Sequence, residues 1–128
     1  MTDVAGLVEK AVRSAIVEGE RLRTPTGRAE FVVGAIDHRG IVLLLGKGRW
    51  ATPIGWKCLE GAADFLRGRG WIRVGANRDV GGKPGTFDEY MKAHLQTQTA
   101  NYVAVLLERA GVVELSTARP AHVRLAAR

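Results

Sequence analysis

The segment from Thr99 to Leu115 constrains this chain more than any other. Ala100, Val103, Leu106 and Leu107 recur at spacings of three and four, and Ala110 closes the run just before Gly111. That periodicity predicts a helix with one apolar stripe, starting at Thr97 or Thr99 and ending at a glycine suited to the C-terminal cap. Val112 to Leu115 follow at once as a strand, and His122 to Leu125 supply another across the turn Ser116-Thr117-Ala118-Arg119-Pro120-Ala121. A helix this short is stable only when its stripe is covered. The elements before it must therefore pack against it.

Those elements can be read in turn. Thr86 with Glu89 three residues later fits a capping box for a helix carrying Phe87, Tyr90 and Met91 and ending between His94 and Gln96. Upstream, Asn77 to Gly85 holds three glycines and a proline and reads as a loop, and Trp71 to Val74 read as a short strand broken by Gly75. A further helix is predicted from Thr52-Pro53, with Thr52 as cap, Pro53 in the first turn, and Leu59, Ala62, Ala63 and Leu66 as its buried stripe. Cys58 and Phe65 lie beside that stripe, and Gly68-Arg69-Gly70 ends the helix.

Nearer the N-terminus, Glu30 to Ile36 and Ile41 to Leu45 flank the turn Asp37-His38-Arg39-Gly40, the pattern of an antiparallel hairpin. The stretch from Arg21 to Arg28 reads as a basic connector. Before it, Val4, Leu7, Val8, Ala11, Val12, Ala15 and Ile16 mark an amphipathic helix capped by Thr2 or Asp3 and finished before Gly19.

From Thr52 the inferred order is helix, strand, helix, helix, strand, turn, strand. That order, with the polar start, apolar anchors, glycine exit and strand of Thr99 to Leu115, resembles the winged-helix (helix-turn-helix) superfamily over residues 52–126. The resemblance implies an α+β fold: a winged-helix domain at 52–128, with an N-terminal helix and β-hairpin at 1–51 packed on it or dimerising it. It also implies a sequence-dependent double-stranded DNA-binding protein, of the transcription-regulator kind, that places its second helix in the major groove. Thr97, Gln98 and Asn101 are then the candidates for base contact, because Gln and Asn can pair with adenine through two hydrogen bonds.

Nineteen Lys and Arg against thirteen Asp and Glu leave a net charge of +6, which favours polyanionic partners. The predicted recognition helix itself carries one arginine, Arg109, and no lysine. Phosphate contacts must come from elsewhere: Lys92, His94, Arg119, Arg124, and the loop set Arg67, Arg69, Arg73, Arg78 and Lys83. Arg21, Arg23 and Arg28 would extend that footprint.

Other chemistry has less support. Gly46-Lys47-Gly48 lacks the Lys-Ser or Lys-Thr ending of a phosphate loop, and His38, His94 and His122 show no metal-ligand spacing. No cofactor or catalytic residue is expected. A magnesium-dependent nuclease would have to bring Glu30, Asp37, Glu60, Asp64 and Asp79 together. A second alternative is a protein-interaction module, with the stripe from Val4 to Ile16 as a homodimer face. Trp50, Trp56 and Trp71 adjoin core elements, so packing is their expected use; base stacking requires an exposed ring beside a basic groove. The apolar runs are too short to span a bilayer and no secretory signal is evident, so cytoplasmic residence is expected.

Overall fold

The β-hairpin of the N-terminal half grows into a four-stranded antiparallel meander. In the computed structural model, which describes residues 6–25, 29–75, 85–95, 99–117 and 121–126, the strands are β1 (Arg21–Arg23), β2 (Glu30–Ile36), β3 (Gly40–Leu45) and β4 (Trp50–Gly55). They are hydrogen-bonded in the order β1-β2-β3-β4. Alternation puts Phe31, Val33, Ile41, Leu43 and Ile54 on one buried face. The β2–β3 pairing is the predicted hairpin, with a register shift between Val33 and Ala35.

Strand β4 corrects the helix predicted to start at Thr52-Pro53. A turn in which the Arg49 N–H donates to the Gly46 carbonyl at 3.2 Å brings the chain back alongside β3, and Thr52 pairs with Leu43 instead of capping a helix. Pro53 is tolerated because β4 is an edge strand, where a missing N–H need not break the ladder. The helix α2 (Trp56–Leu66) begins four residues later, after Gly55, which offers no side-chain cap. The boundary drawn at residues 51 and 52 thus falls inside a strand. Arg21 to Arg23, expected as connector, pair with β2 through Leu22 opposite Phe31. Three residues are too few to show an alternating pattern.

The second half runs α2, β5 (Ile72–Arg73), α3 (Phe87–Leu95), α4 (Ala100–Arg109), β6 (Val113–Ser116) and β7 (His122–Leu125). The three strands form a small antiparallel sheet in the order β5-β7-β6. The start of α3 follows the predicted chemistry: Thr86 Oγ1 accepts from the Glu89 N–H at 3.1 Å, and the Glu89 carboxylate accepts from the Gly85 N–H at 3.0 Å. At the end of α4, Gly111 has φ 80°. Its N–H donates to the Glu108 carbonyl, and the Val112 N–H donates to the Leu107 carbonyl, the paired bonds of a Schellman exit.

Both halves share one apolar core. Helix α1 (Leu7–Ala15) packs on α2 and α4. Val8, Val12 and Ile16, proposed above as dimer contacts, are buried within the chain itself; Ala11 and Ala15 are partly buried, and Leu7 alone among the described stripe residues is exposed, at 52%. Val4, with Thr2 and Asp3, lies outside the described residues. The N-terminal amides of α1 are satisfied from α2: the Val8 and Glu9 N–H groups donate to the two carboxylate oxygens of Glu60 at 3.2 and 3.0 Å. A carboxylate there also complements the positive end of the helix dipole.

Candidate nucleic-acid interface

The environment of α4 sets what it can read. Ala100, Val103, Ala104, Val105, Leu106 and Leu107 are all buried. On the side facing the large sheet, the Tyr102 ring meets Phe31 edge-on at 5.2 Å, and Arg109 donates to Glu20 at 2.8 Å. The remaining strip follows helical spacing through Asn101, Val105 and Glu108: one half-buried amide, one apolar side chain at 8% exposure, and one exposed acid. Of the base-contact candidates only Asn101 is placed; Thr97 and Gln98 lie outside the described residues. The helix carries its single cation in an ion pair.

The outward face of the small sheet is different. Val123 is fully buried opposite Ile72, so strand alternation turns Arg73, His122, Arg124, Glu114 and Ser116 to the other side. Trp71, just before β5, is 43% exposed, and the Arg124 guanidinium lies 4.4 Å from its ring centroid. Such a contact is a cation–π interaction. Arg124 also donates to Glu114, so its charge is already paired with an acid.

The other basic candidates separate in the same way. Lys92 pairs with buried Asp88 at 3.2 Å, and Arg67 pairs with Asp64 at 3.0 Å. His94 is exposed but lies tilted against Tyr90, with ring centroids 4.2 Å apart. Arg69 lies over Phe65 at 4.2 Å and donates to the Phe65 carbonyl. Among the described residues, neither Arg69 nor Arg73 forms an ion pair with an acid, and both are exposed. Arg78, Lys83 and Arg119 lie outside the described residues. The result is a cation in the turn after α2, an indole just before edge strand β5 and a second cation within it, at 69, 71 and 73, with Arg124 beside the indole.

Sequence reasoning assigned these arginines to a loop and Trp71 to the core, so it missed their combination. The alternation of 69, 71 and 73 was a usable signal. The acids proposed for a nuclease are placed apart, each with its own partner: Glu30 with Arg21 and Arg49, Asp37 with Arg39, Glu60 with α1, Asp64 with Arg67. Asp79 lies outside the described residues, among which no group of three or more His, Cys, Asp or Glu is arranged to hold a metal.

Elsewhere, Asp37 and Arg39 line a cleft of about 220 Å³ with Pro53 and Ile54, but the two charges pair with each other at 3.6 Å. The Arg39 backbone N–H holds the Asp37 carboxyl below its ordinary pKa. Burial raises the Cys58 thiol above its ordinary pKa, which disfavours the reactive thiolate. Trp56 is buried as expected, its Nε1 donating to the Asp37 carbonyl at 2.8 Å, whereas Trp50 is 70% exposed. No described helix is long and apolar enough to cross a membrane. No protein-family model matches the sequence, and no solved structure matches the chain.

Proposed function

We propose that residues 56–126 form a winged-helix-type module that binds double-stranded DNA mainly through phosphate contacts, with base discrimination confined to the first turn of α4. The order α2-β5-α3-α4-β6-β7 and the sheet order β5-β7-β6 support the winged-helix part of this reading. The observation that carries the binding part is the row Arg69, Trp71, Arg73 with Arg124 at its side. Two exposed guanidiniums that form no ion pair with an acid among the described residues, Arg69 ahead of β5 and Arg73 within it, suit a phosphate backbone. The burial of α4 argues for a small base-reading contribution, centred on Asn101.

A salt titration with duplex DNA tests this. Affinity should fall steeply as salt rises, and Arg73→Ala should reduce the slope of log K against log salt by about 0.9, one phosphate contact. Asn101→Ala should leave that slope unchanged and weaken the preference among sequences, by about 1 to 3 kcal/mol at its base pair. Absence of duplex binding at low salt across many sequences would refute the reading.

One observation favours a second, protein-binding role. The solvent side of the large sheet carries Val32, Val42, Leu44, Ala51 and Pro53, in register across β2, β3 and β4. This face, and not the stripe of α1, is where self-association would occur. Sedimentation of the intact protein across a concentration series tests it, and a monomer throughout would exclude it.

A further inference from the structure

We propose that the turn between β3 and β4 is a stacking site for an unpaired nucleobase, built on Trp50, which gives the chain a binding mode for single-stranded DNA. The proposal rests on the nucleic-acid reading above but not on its duplex geometry.

Trp50 opens β4 opposite Leu45, on the side of the sheet that elsewhere faces the core. At this end the core has run out, and the indole is 70% exposed. Its position is nevertheless built. A Cβ added at Gly46 would stand 3.1 Å from Trp50 Cζ3, and one added at Gly48 would stand 3.2 Å from Cε2 and Cζ2. The six-membered part of the indole therefore lies against two glycines, and a side chain at either would press on it. The turn is closed by the Arg49 N–H to Gly46 carbonyl bond, with Gly46 at φ 72° and Arg49 at φ 54°. Arg49 is the one non-glycine residue with positive φ among the described residues, a conformation that side chains adopt at some cost.

The charges of the turn and of the strand end beside it bear on the occupant. Lys47 is exposed in the same turn. Arg49 and Arg21 each approach the Glu30 carboxylate to 3.7 Å, so one acid faces two guanidiniums. A pre-positioned indole with surplus positive charge suits a ligand that has a flat π face and a phosphate within one nucleotide. Binding of this kind tolerates any base, because every base offers a π face. Trp71 is the weaker platform, since Arg124 already occupies part of its surface.

The experiment compares the affinity of the full chain for a labelled thymidine single strand of about 20 nucleotides and for a blunt duplex at low salt. Trp50→Ala should weaken single-strand binding about five- to 150-fold, the loss of one stacked base, with the duplex affinity little changed. Trp50→Phe should fall between, and Gly48→Ala, which keeps the indole but disturbs its seat, should also weaken single-strand binding. These two variants keep the test valid if Trp50→Ala does not fold. In a Trp71→Phe background, where Trp56 is buried, the single strand should quench tryptophan emission, and adding Trp50→Ala should remove the effect.

Undiminished single-strand binding by folded Trp50 variants would overturn the proposal while leaving the duplex reading intact. Trp50-dependent attachment to anionic lipid vesicles without single-strand binding would overturn it too. Trp50-dependent single-strand binding without duplex binding would uphold it and reject the duplex reading. Binding of neither nucleic acid would reject both.

Discussion

The two sheets of this molecule use one face alike and the other face differently. Each buries an apolar side in the common core: Phe31, Val33, Ile41, Leu43 and Ile54 from the large sheet, Val113 and Val123 from the small one. On their solvent sides the large sheet shows Val32, Val42, Leu44, Ala51 and Pro53, while the small sheet shows Arg73, His122, Arg124 and Glu114. Core packing decides the inward face of a strand, and alternation leaves the outward face free to vary. The contrast is one of chemistry: the large sheet exposes an apolar surface, suited to the proposed protein contact, and the small sheet exposes cations and an indole, suited to the proposed contact with a polyanion.

The strongest test is whether the inward faces really form one unit. Phe31→Ala should cost about 3 to 5 kcal/mol and lower the urea midpoint equally for probes of both sheets. Separate transitions for the two would show that the sheets fold independently. A test of the outward faces comes next. Leu44→Glu should abolish any concentration-dependent self-association in sedimentation while leaving DNA affinity within about twofold, because surface changes away from special features usually have effects near 0.5 kcal/mol.

A smaller effect concerns the joint between the halves. Glu60→Ala removes both acceptors of the α1 amides and should lower stability by about 1 kcal/mol in denaturant unfolding, the usual worth of a lost cap. The smallest is a pH effect. Burial raises the pKa of Tyr90 and that of Cys58 above their ordinary values of 10.0 and 9.0. The unfolded chain therefore ionises first, so the stability these groups contribute is complete below their ordinary pKa values and is lost as pH rises above them. Tyr90→Phe should flatten the alkaline decline of the urea midpoint.

Much of the second half was legible because its signals are local. The capping pair Thr86 and Glu89, the period of α4 and the exit at Gly111 each involve residues within one or two turns, and the structure places them as predicted. Thr52-Pro53 misled because threonine and proline suit a helix start and an edge strand equally well; what selected the strand was pairing with β3. The cap of α1 was unreadable for a plainer reason, since its carboxylate comes from Glu60, 51 or more residues away.

The candidate site divides along the same line. Residue type and spacing alone determined that the chain is basic, that Asn101 lies near the start of a helix closed by Gly111, and that arginines alternate with tryptophan at 69, 71 and 73. Tertiary structure alone decided which charges remain available. Glu20 takes Arg109 and Glu114 takes Arg124, pairings that follow from how the elements pack, whereas Lys92 pairs with Asp88 one turn back on its own helix. It also decided that Trp56 is buried while Trp50 and Trp71 face solvent. Periodicity and capping act between near neighbours and are written in the order of residues. Burial and the pairing of distant charges act between surfaces and exist only once those surfaces meet.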